Sequence, residues 1–493
     1  MSALDAAPAD GLRRAAARGT VVNTAFLIGL STLGLLRGFI VAIFLSRHDY
    51  GLWALLVASL GSLGLLKQFG ILDRYVQQSE PDQELAFQHA FTLEVIFSAG
   101  FAVLAVAAVP LLAFAYDRPE LLAPGFALLL ALPAIALQSP LWIFYRRMEF
   151  VRQRTLGAID PIVGFVVTVA LAAAGAGYWS LIGGALAGNY AAAIVVLRAS
   201  PYRLALRFSR SAARQYLSFS WPLAVSAVGT LLVTQGAVIV GTATLGLAGV
   251  GAIALASSIV AYTTQVDQIV STTLYPAICA VRDRSGLLFE SFTKSNRLGL
   301  IWGVPLGVGI TLFADDLVRF GLGEHWRPAV PLIQIFGLIA AFDQLGYNWD
   351  DYYRARAETR PIAVVTMLAA VTFLVAALPL LIVDGLSGFG IGMAIAAVAG
   401  VAGRIVYLTR IFPAFDMARH AARAIAPTVP AALAILALHG IDGPRSLGLA
   451  IAESAVYVAV VLVGIALLER TLLRELAGYL LPSARVSWTE AEP

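Results

Sequence analysis

From Thr20 to about Glu469 the chain is a succession of apolar runs, each of about 20 residues or more, separated by short charged or Gly/Pro-containing breaks. A run of that length is at home in lipid as an α-helix, because a helix satisfies every backbone N–H and C=O within itself. A membrane barrel would need segments of about ten residues that alternate apolar and polar, and no such alternation is present. Of the 493 residues, 13% are charged and 59% hydrophobic, whereas a soluble chain carries about a quarter charged. The fold class that follows is an all-α polytopic membrane protein.

The breaks predict about fourteen spans, at 20–45, 50–70, 86–115, 120–145, 156–175, 178–198, 215–244, 248–280, 290–314, 328–348, 361–383, 386–411, 421–440 and 446–469. The first follows a polar tail of residues 1–19 that carries Arg13, Arg14 and Arg18. Its apolar run exceeds the core of about 7–15 residues in a signal peptide, so it reads as a retained helix. With the N-terminus inside, 28 of the 34 Lys and Arg fall on inner loops and tails, 5 fall outside, and Arg37 lies within a span. That bias across short loops is the positive-inside pattern, and it predicts that both termini are cytoplasmic.

Topology thus accounts for the formal net charge of +4. Nucleic-acid binding would need those arginines gathered on a soluble face. No loop exceeds about 20 residues, too few for a catalytic domain. The chain has no P-loop, no G-x-G-x-x-G after a strand, no H-E-x-x-H and no G-x-S-x-G. The five histidines are scattered, and Cys279, the only cysteine, excludes an internal disulfide and a cysteine-based metal cluster. These features disfavour an enzyme and an ATP-driven pump, and no cofactor or metal is expected.

An internal echo is present at an offset of 200: Leu45/Leu245, Gly51/Gly251, Ala54/Ala254 and Leu55/Leu255 coincide in "LSRHDYGLWALLVA" and "LGLAGVGAIALASS". Two readings are open, coincidence in an Ala/Leu/Gly-rich chain and a duplicated six-helix unit of the kind that builds many transporters.

The stretch "FLSRHDYGLWALLVASLGSLGLLKQFGILDRYVQQ" resembles the first helical hairpin of the Wzx-type polysaccharide and oligosaccharide flippases, in its Asp49-Tyr50-Gly51 turn, Phe69-Gly70-Ile71 and Val76-Gln77 end. "PLWIFYRRMEF" (140–150), "FSWP" (219–222) and "GLGEHWRPAVPLI" (321–333) are similar to that family's later segments, in the same order. The family belongs to the multidrug/oligosaccharidyl-lipid/polysaccharide exporter (MOP) superfamily. The resemblance implies two six-helix bundles in a V around a central cavity, at 20–214 and 215–412, with helices 13–14 and a cytoplasmic tail in 413–493. It implies alternating access, and a cargo of polyprenyl-pyrophosphate-linked oligosaccharide moved across the bacterial inner membrane for exopolysaccharide, capsule or O-antigen synthesis. Membrane lipids and polysaccharide polymerase and chain-length or export proteins are the implied partners. Peptidoglycan-precursor flippases carry Ser-Arg-x-x-Gly-x-x-Arg-Asp in the first helix; here "STLGLLRG" keeps Gly34 and Arg37 and lacks the second arginine and the acid. Drug/cation antiporters of the same superfamily are an alternative, and a membrane polysaccharide polymerase or ligase a weaker one.

Charges inside spans are the candidate functional groups. An arginine there costs about 3 kcal/mol or more and usually faces protein or a water-filled cavity. Arg37 lies about nine residues from the outer end of its span, roughly 13 Å deep, and its planar guanidinium suits a pyrophosphate; the bland alternative is a snorkelling side chain. Lys67, near the inner end of the second span, could meet the pyrophosphate on entry or snorkel. Asp267, within the eighth span, is a candidate for proton or sodium coupling, or accepts a hydrogen bond from a neighbouring Thr or Gln. Glu94, Asp160, Asp343 and Glu453 read as structural. Arg146, Arg147, Arg152 and Arg154 read as topology signals that can also attract anionic headgroups.

Overall fold

The computed structural model describes residues 9–45, 49, 53, 56, 64, 70–115, 117–413, 415–439, 445–472 and 474. All secondary structure among them is helical. Nine segments are long and apolar enough to cross a membrane, and eleven if two bent pairs each count as one span. One of these, Arg360–Ile411, holds two of the expected spans, divided at Gly385 with φ 62°. Gly246, with φ 68°, divides Arg210–Val260 in the same way. A positive φ is open to glycine without a Cβ clash, so these two residues supply the tight reversals. The expected span 50–70 lies mostly outside the described residues, and 328–348 takes the form of a shorter helix, Val330–Asp343. The expected span 120–145 is broken, with Pro119–Leu137 followed by the separate helix Leu141–Arg146.

Large apolar side chains such as Val103, Phe114, Val383 and Ile451 are exposed. Small residues let helices approach closely instead. A Cβ on Gly184 would stand 2.8 Å from the Gly164 carbonyl, and one on Gly307 would stand 2.5 Å from the Gly337 carbonyl. These contacts join Ile159–Ala173 to Trp179–Ala199, and Ser285–Leu312 to Val330–Asp343. Close backbone approach through glycine, with apolar groups turned outward, is how helices pack in lipid, where tails offer no hydrophobic drive for association.

Helices before the connector 199–214 pack mainly on one another, as do Arg210–Val260, Ser285–Leu312, Val330–Asp343 and Arg360–Ile411. The two sets meet where Ala9–Phe44 packs on Gln265–Ala280, where the short helix Ile71–Gln77 packs on Gln265–Ala280, Trp349–Ala355 and Arg210–Val260, and where Arg210–Val260 touches Gln83–Ala115. These meetings gather Arg74, Arg146, Arg282 and Arg354 into one basic end of the interface.

Candidate functional site

The short helix Ile71–Gln77 is the keystone of this basic end. Gly70 starts it with φ 66°, and a Cβ there would be 2.5 Å from Leu223 of the second helix set. Its far end is held by arginine. Buried Arg146 donates to the carbonyls of Tyr75 and Gln78 at 2.7 Å, and also to that of Val76. Arg282 donates to the Gln77 carbonyl. Helix-terminal carbonyls lack intrahelical donors, and guanidinium groups supply them here. Arg146 is therefore a structural cap as well as a topology signal.

Across this seam the two helix sets exchange polar contacts. Arg74 Nη2 donates to Gln215 Oε1 at 3.0 Å, and Asn23 Nδ2 donates to Thr273 Oγ1 at 2.6 Å. The Tyr275 hydroxyl donates to the Asp73 carbonyl at 3.0 Å. Arg354 makes the ion pair that bridges the seam, with Nη1 3.1 Å from Asp73 Oδ2. Its Nη2 reaches Asp350 Oδ2 at 2.5 Å and Asp351 Oδ1 at 3.0 Å, both on its own helix Trp349–Ala355. Its guanidinium carbon lies 5.8 Å from the centre of the Tyr275 ring, within cation–π range. Beneath these polar ties an apolar cluster joins Val76, Tyr145, Met148 and Phe150 of the first set to Tyr275, Cys279, Phe292 and Tyr352 of the second. Aromatic bulk excludes water while the ion pair fixes register, so the basic end is shut.

Two cavities stand against the seam, and Arg354 lines both. One, of about 490 Å³, lies between the sets, with Leu72, Asp73, Glu94 and Trp142 on one side and Leu223, Ser226 and Thr230 on the other. The second, of about 700 Å³, lies within the second set and holds Asp267, Asp343, Gln344 and Arg404.

The three residues singled out from the sequence are not brought together. Lys67 lies outside the described residues. Arg37 is half-buried on Ala9–Phe44, lines neither of these two cavities, and has no ion pair or hydrogen bond among the described residues. Asp160 feels its charge, so an acidic group stands within electrostatic reach although none is near in sequence. Asp267 is buried, and its Oδ2 accepts from Gln344 Nε2 at 2.8 Å. Its other oxygen, Oδ1, has no hydrogen-bond partner among the described residues. Asp343 accepts from Arg404 Nη2 at 2.7 Å through its carboxylate, as a structural pair would.

A family model described as "Polysaccharide biosynthesis protein" matches residues 40–331, more than half of the chain. The chain belongs to this polysaccharide biosynthesis protein family. Two curated relatives agree with that placement. The succinoglycan biosynthesis transport protein ExoT of Rhizobium meliloti is 24% identical over 311 residues, 61% of this chain and 61% of its own length. The chain thus spans about three fifths of that relative. The lipopolysaccharide biosynthesis protein WzxC of Escherichia coli is 22% identical over 338 residues, 67% of each chain.

Solved structures place the family member's fold. One is described as the outward-facing conformation of a multidrug resistance MATE family transporter of the MOP superfamily, with TM-score 0.66 and 14% identity, covering 83% of this chain and 97% of that one. A second is described as a MOP superfamily transporter from Pyrococcus furiosus whose binding pocket has reversed polarity, with the same score, identity and coverage. The protein has the fold of the MOP-superfamily transporters and, among the described residues, nine segments long and apolar enough to cross a membrane.

Proposed function

We propose that this transporter is a flippase that carries polyprenyl-pyrophosphate-linked oligosaccharides from the inner to the outer leaflet of a bacterial inner membrane, supplying exopolysaccharide, capsule or O-antigen synthesis. Residues 20–214 and 215–412 form the two bundles that rock against each other. The basic end faces the cytoplasm by the positive-inside rule, with both termini on that side. A polymerase and chain-length or export proteins receive the cargo outside.

One observation supports the reading: among the described residues a polar and aromatic seam ties the two helix sets at the basic end, with an interset cavity directly against it. A closed cytoplasmic end beside a cavity is what alternating access requires of a state that has released its cargo outward. The kinship with polysaccharide-biosynthesis proteins supports this cargo class. Arg37 contacts the pyrophosphate within the translocation path, Lys67 meets it on entry, and Asp267 is a coupling carboxylate.

Reconstitution tests the proposal. Proteoliposomes loaded with a short-chain polyprenyl-pyrophosphate-oligosaccharide bearing a fluorescent sugar should move label between leaflets at a rate that scales with protein. Transport of a cationic dye with no movement of the labelled lipid would instead favour the drug/cation antiporter reading.

A further inference from the structure

The Arg354 cluster has too many acids. Asp350 and Asp351 come from its own helix and Asp73 from Ile71–Gln77, so one guanidinium faces three carboxylates. The helix Gln265–Ala280 adds Ser271 and Tyr275, which are neutral. Other cations at the seam are committed elsewhere. Arg74 goes to Gln77 and Gln215, Arg146 donates to backbone carbonyls, and Arg282 reaches the Gln77 carbonyl and Asp283. On the neighbouring segment Arg356 pairs with Glu358, and Arg360 is exposed.

The imbalance falls on Asp351. Its side chain is 4% exposed, Oδ1 accepts from Arg354, the Ser271 hydroxyl lies within hydrogen-bonding reach of the carboxyl, and buried Oδ2 makes no well-formed hydrogen bond among the described residues. A carboxylate buried with one guanidinium shared among three acids and one hydroxyl nearby is costly to keep ionised, and a proton removes the charge.

We propose that Asp351 is a proton-binding site of the seam: closing the basic end takes up one proton at Asp351, and opening it releases that proton. The proposal rests on the two helix sets separating at this end, and not on the identity of the cargo. Burial pushes the Asp351 carboxyl up to about 7 from an ordinary 3.8, with Arg354 opposing the rise, Asp350 and Asp73 adding to it, and Ser271 opposing it. When Ile71–Gln77 withdraws, Asp73 leaves, water reaches Asp351, and the group ionises. The sign follows from linkage. A carboxyl raised in the closed state binds more protons there, so closure weakens as pH rises from near the ordinary value to about 7 and is then level.

Cys279, the only cysteine, is buried in the same seam and reports its opening. The experiment is the rate of Cys279 alkylation by a small maleimide in the full-length protein without cargo, between about pH 5.5 and 8. Thiolate formation accelerates labelling with pH in every variant, so each rate is divided by that of Asp351→Asn, which mimics the protonated acid. The ratio should rise with pH, by up to about tenfold per unit, and level off near 7. Asp73→Ala, which removes the bridge and leaves the Asp351 side chain in place, should label about fivefold faster than wild type at low pH, where Asp351 is protonated in both. A ratio independent of pH overturns the proposal, and so does Asp73→Ala labelling at the wild-type rate. Neither result bears on the flipping assay, so the two readings fail separately.

Discussion

Two partly buried arginines hold acids in this molecule, and they do so for different purposes. Arg354 gathers Asp350 and Asp351 from its own helix and Asp73 from the other side of the seam. Arg445 binds Asp316 through Nε at 3.0 Å and Nη2 at 2.6 Å, and Glu453 through Nη1 at 2.6 Å. His439 Nε2 stands 2.8 Å from Arg445 Nη2 and 3.1 Å from Glu453 Oε2. The carboxylates and imidazole lie within 4.8 Å of one another, as metal ligands do, but the guanidinium already sits among them as the cation. Asp316 ends Ala314–Asp316, His439 ends Thr428–His439, Glu453 lies on Leu447–Leu468, and Arg445 stands just before that last helix. This second cluster fastens the last two helices to their own neighbours and crosses no seam. Asp73 and Asp350 are 21% and 29% exposed, whereas Asp316 and Glu453 are 8% and 3% exposed. The difference teaches how one chemistry serves a latch and a brace. A latch must open, so two of its acids keep contact with water, while a brace can be dry.

The largest effect expected from this contrast is on stability. Arg445→Ala leaves two buried carboxylates uncompensated and should cost about 3–5 kcal/mol, read as a lower melting temperature in detergent and lower abundance. Transport per surviving molecule should be unchanged. Arg354→Ala should melt closer to wild type, because two of its acids are already part-hydrated, and should lose transport at normal abundance. Equal melting losses in the two variants would break the distinction between latch and brace.

Next in size is Arg37. Losing a charge-assisted hydrogen bond to a buried anion costs about 1.5–3 kcal/mol, about a ten- to hundredfold loss of affinity. Arg37→Ala should lower export by that order with abundance preserved, and Arg37→Lys should recover part, since an ammonium keeps the charge without the two-pronged geometry. Export at the wild-type level from Arg37→Ala would make it a packing or snorkelling residue.

The smallest structural effect is expected at Asp267. Asn keeps the acceptor for Gln344, so Asp267→Asn should fold and melt like wild type. Its export should fall and lose its dependence on the proton or sodium gradient. Unchanged gradient dependence would leave Asp267 as the hydrogen-bonded structural group that its contact with Gln344 also describes.

Features written in local pattern were legible from the residues. The apolar runs set the helical class, and the Gly-containing breaks before 248–280 and 386–411 became the reversals at Gly246 and Gly385. Asp267 accepts from Gln344, 77 residues away, rather than from a Thr or Gln beside it in the chain. What depends on distant partners was not legible. Arg354 reads in "RARAETR" as one of three loop charges, yet its partner Asp73 is 281 residues away. Glu453 reads as a lone acid near a helix end, and only folding brings Arg445, Asp316 and His439 to it. Arg146 carries the same local signature as exposed Arg147 and Arg152, and nothing in the run "RRMEFVRQR" distinguishes the one that caps a buried helix end.

The central claim is that the seam at the basic end opens and closes during transport. Leu72 and Ser226 face each other's helix set across the interset cavity. Leu72→Cys and Ser226→Cys, combined with Cys279→Ser, can be bridged by a cleavable bifunctional thiol reagent. The measurement is flipping of the fluorescent lipid-linked oligosaccharide before bridging, after bridging and after reduction. The account predicts that bridging stops flipping and that reduction restores it. Undiminished flipping by the bridged protein would contradict it.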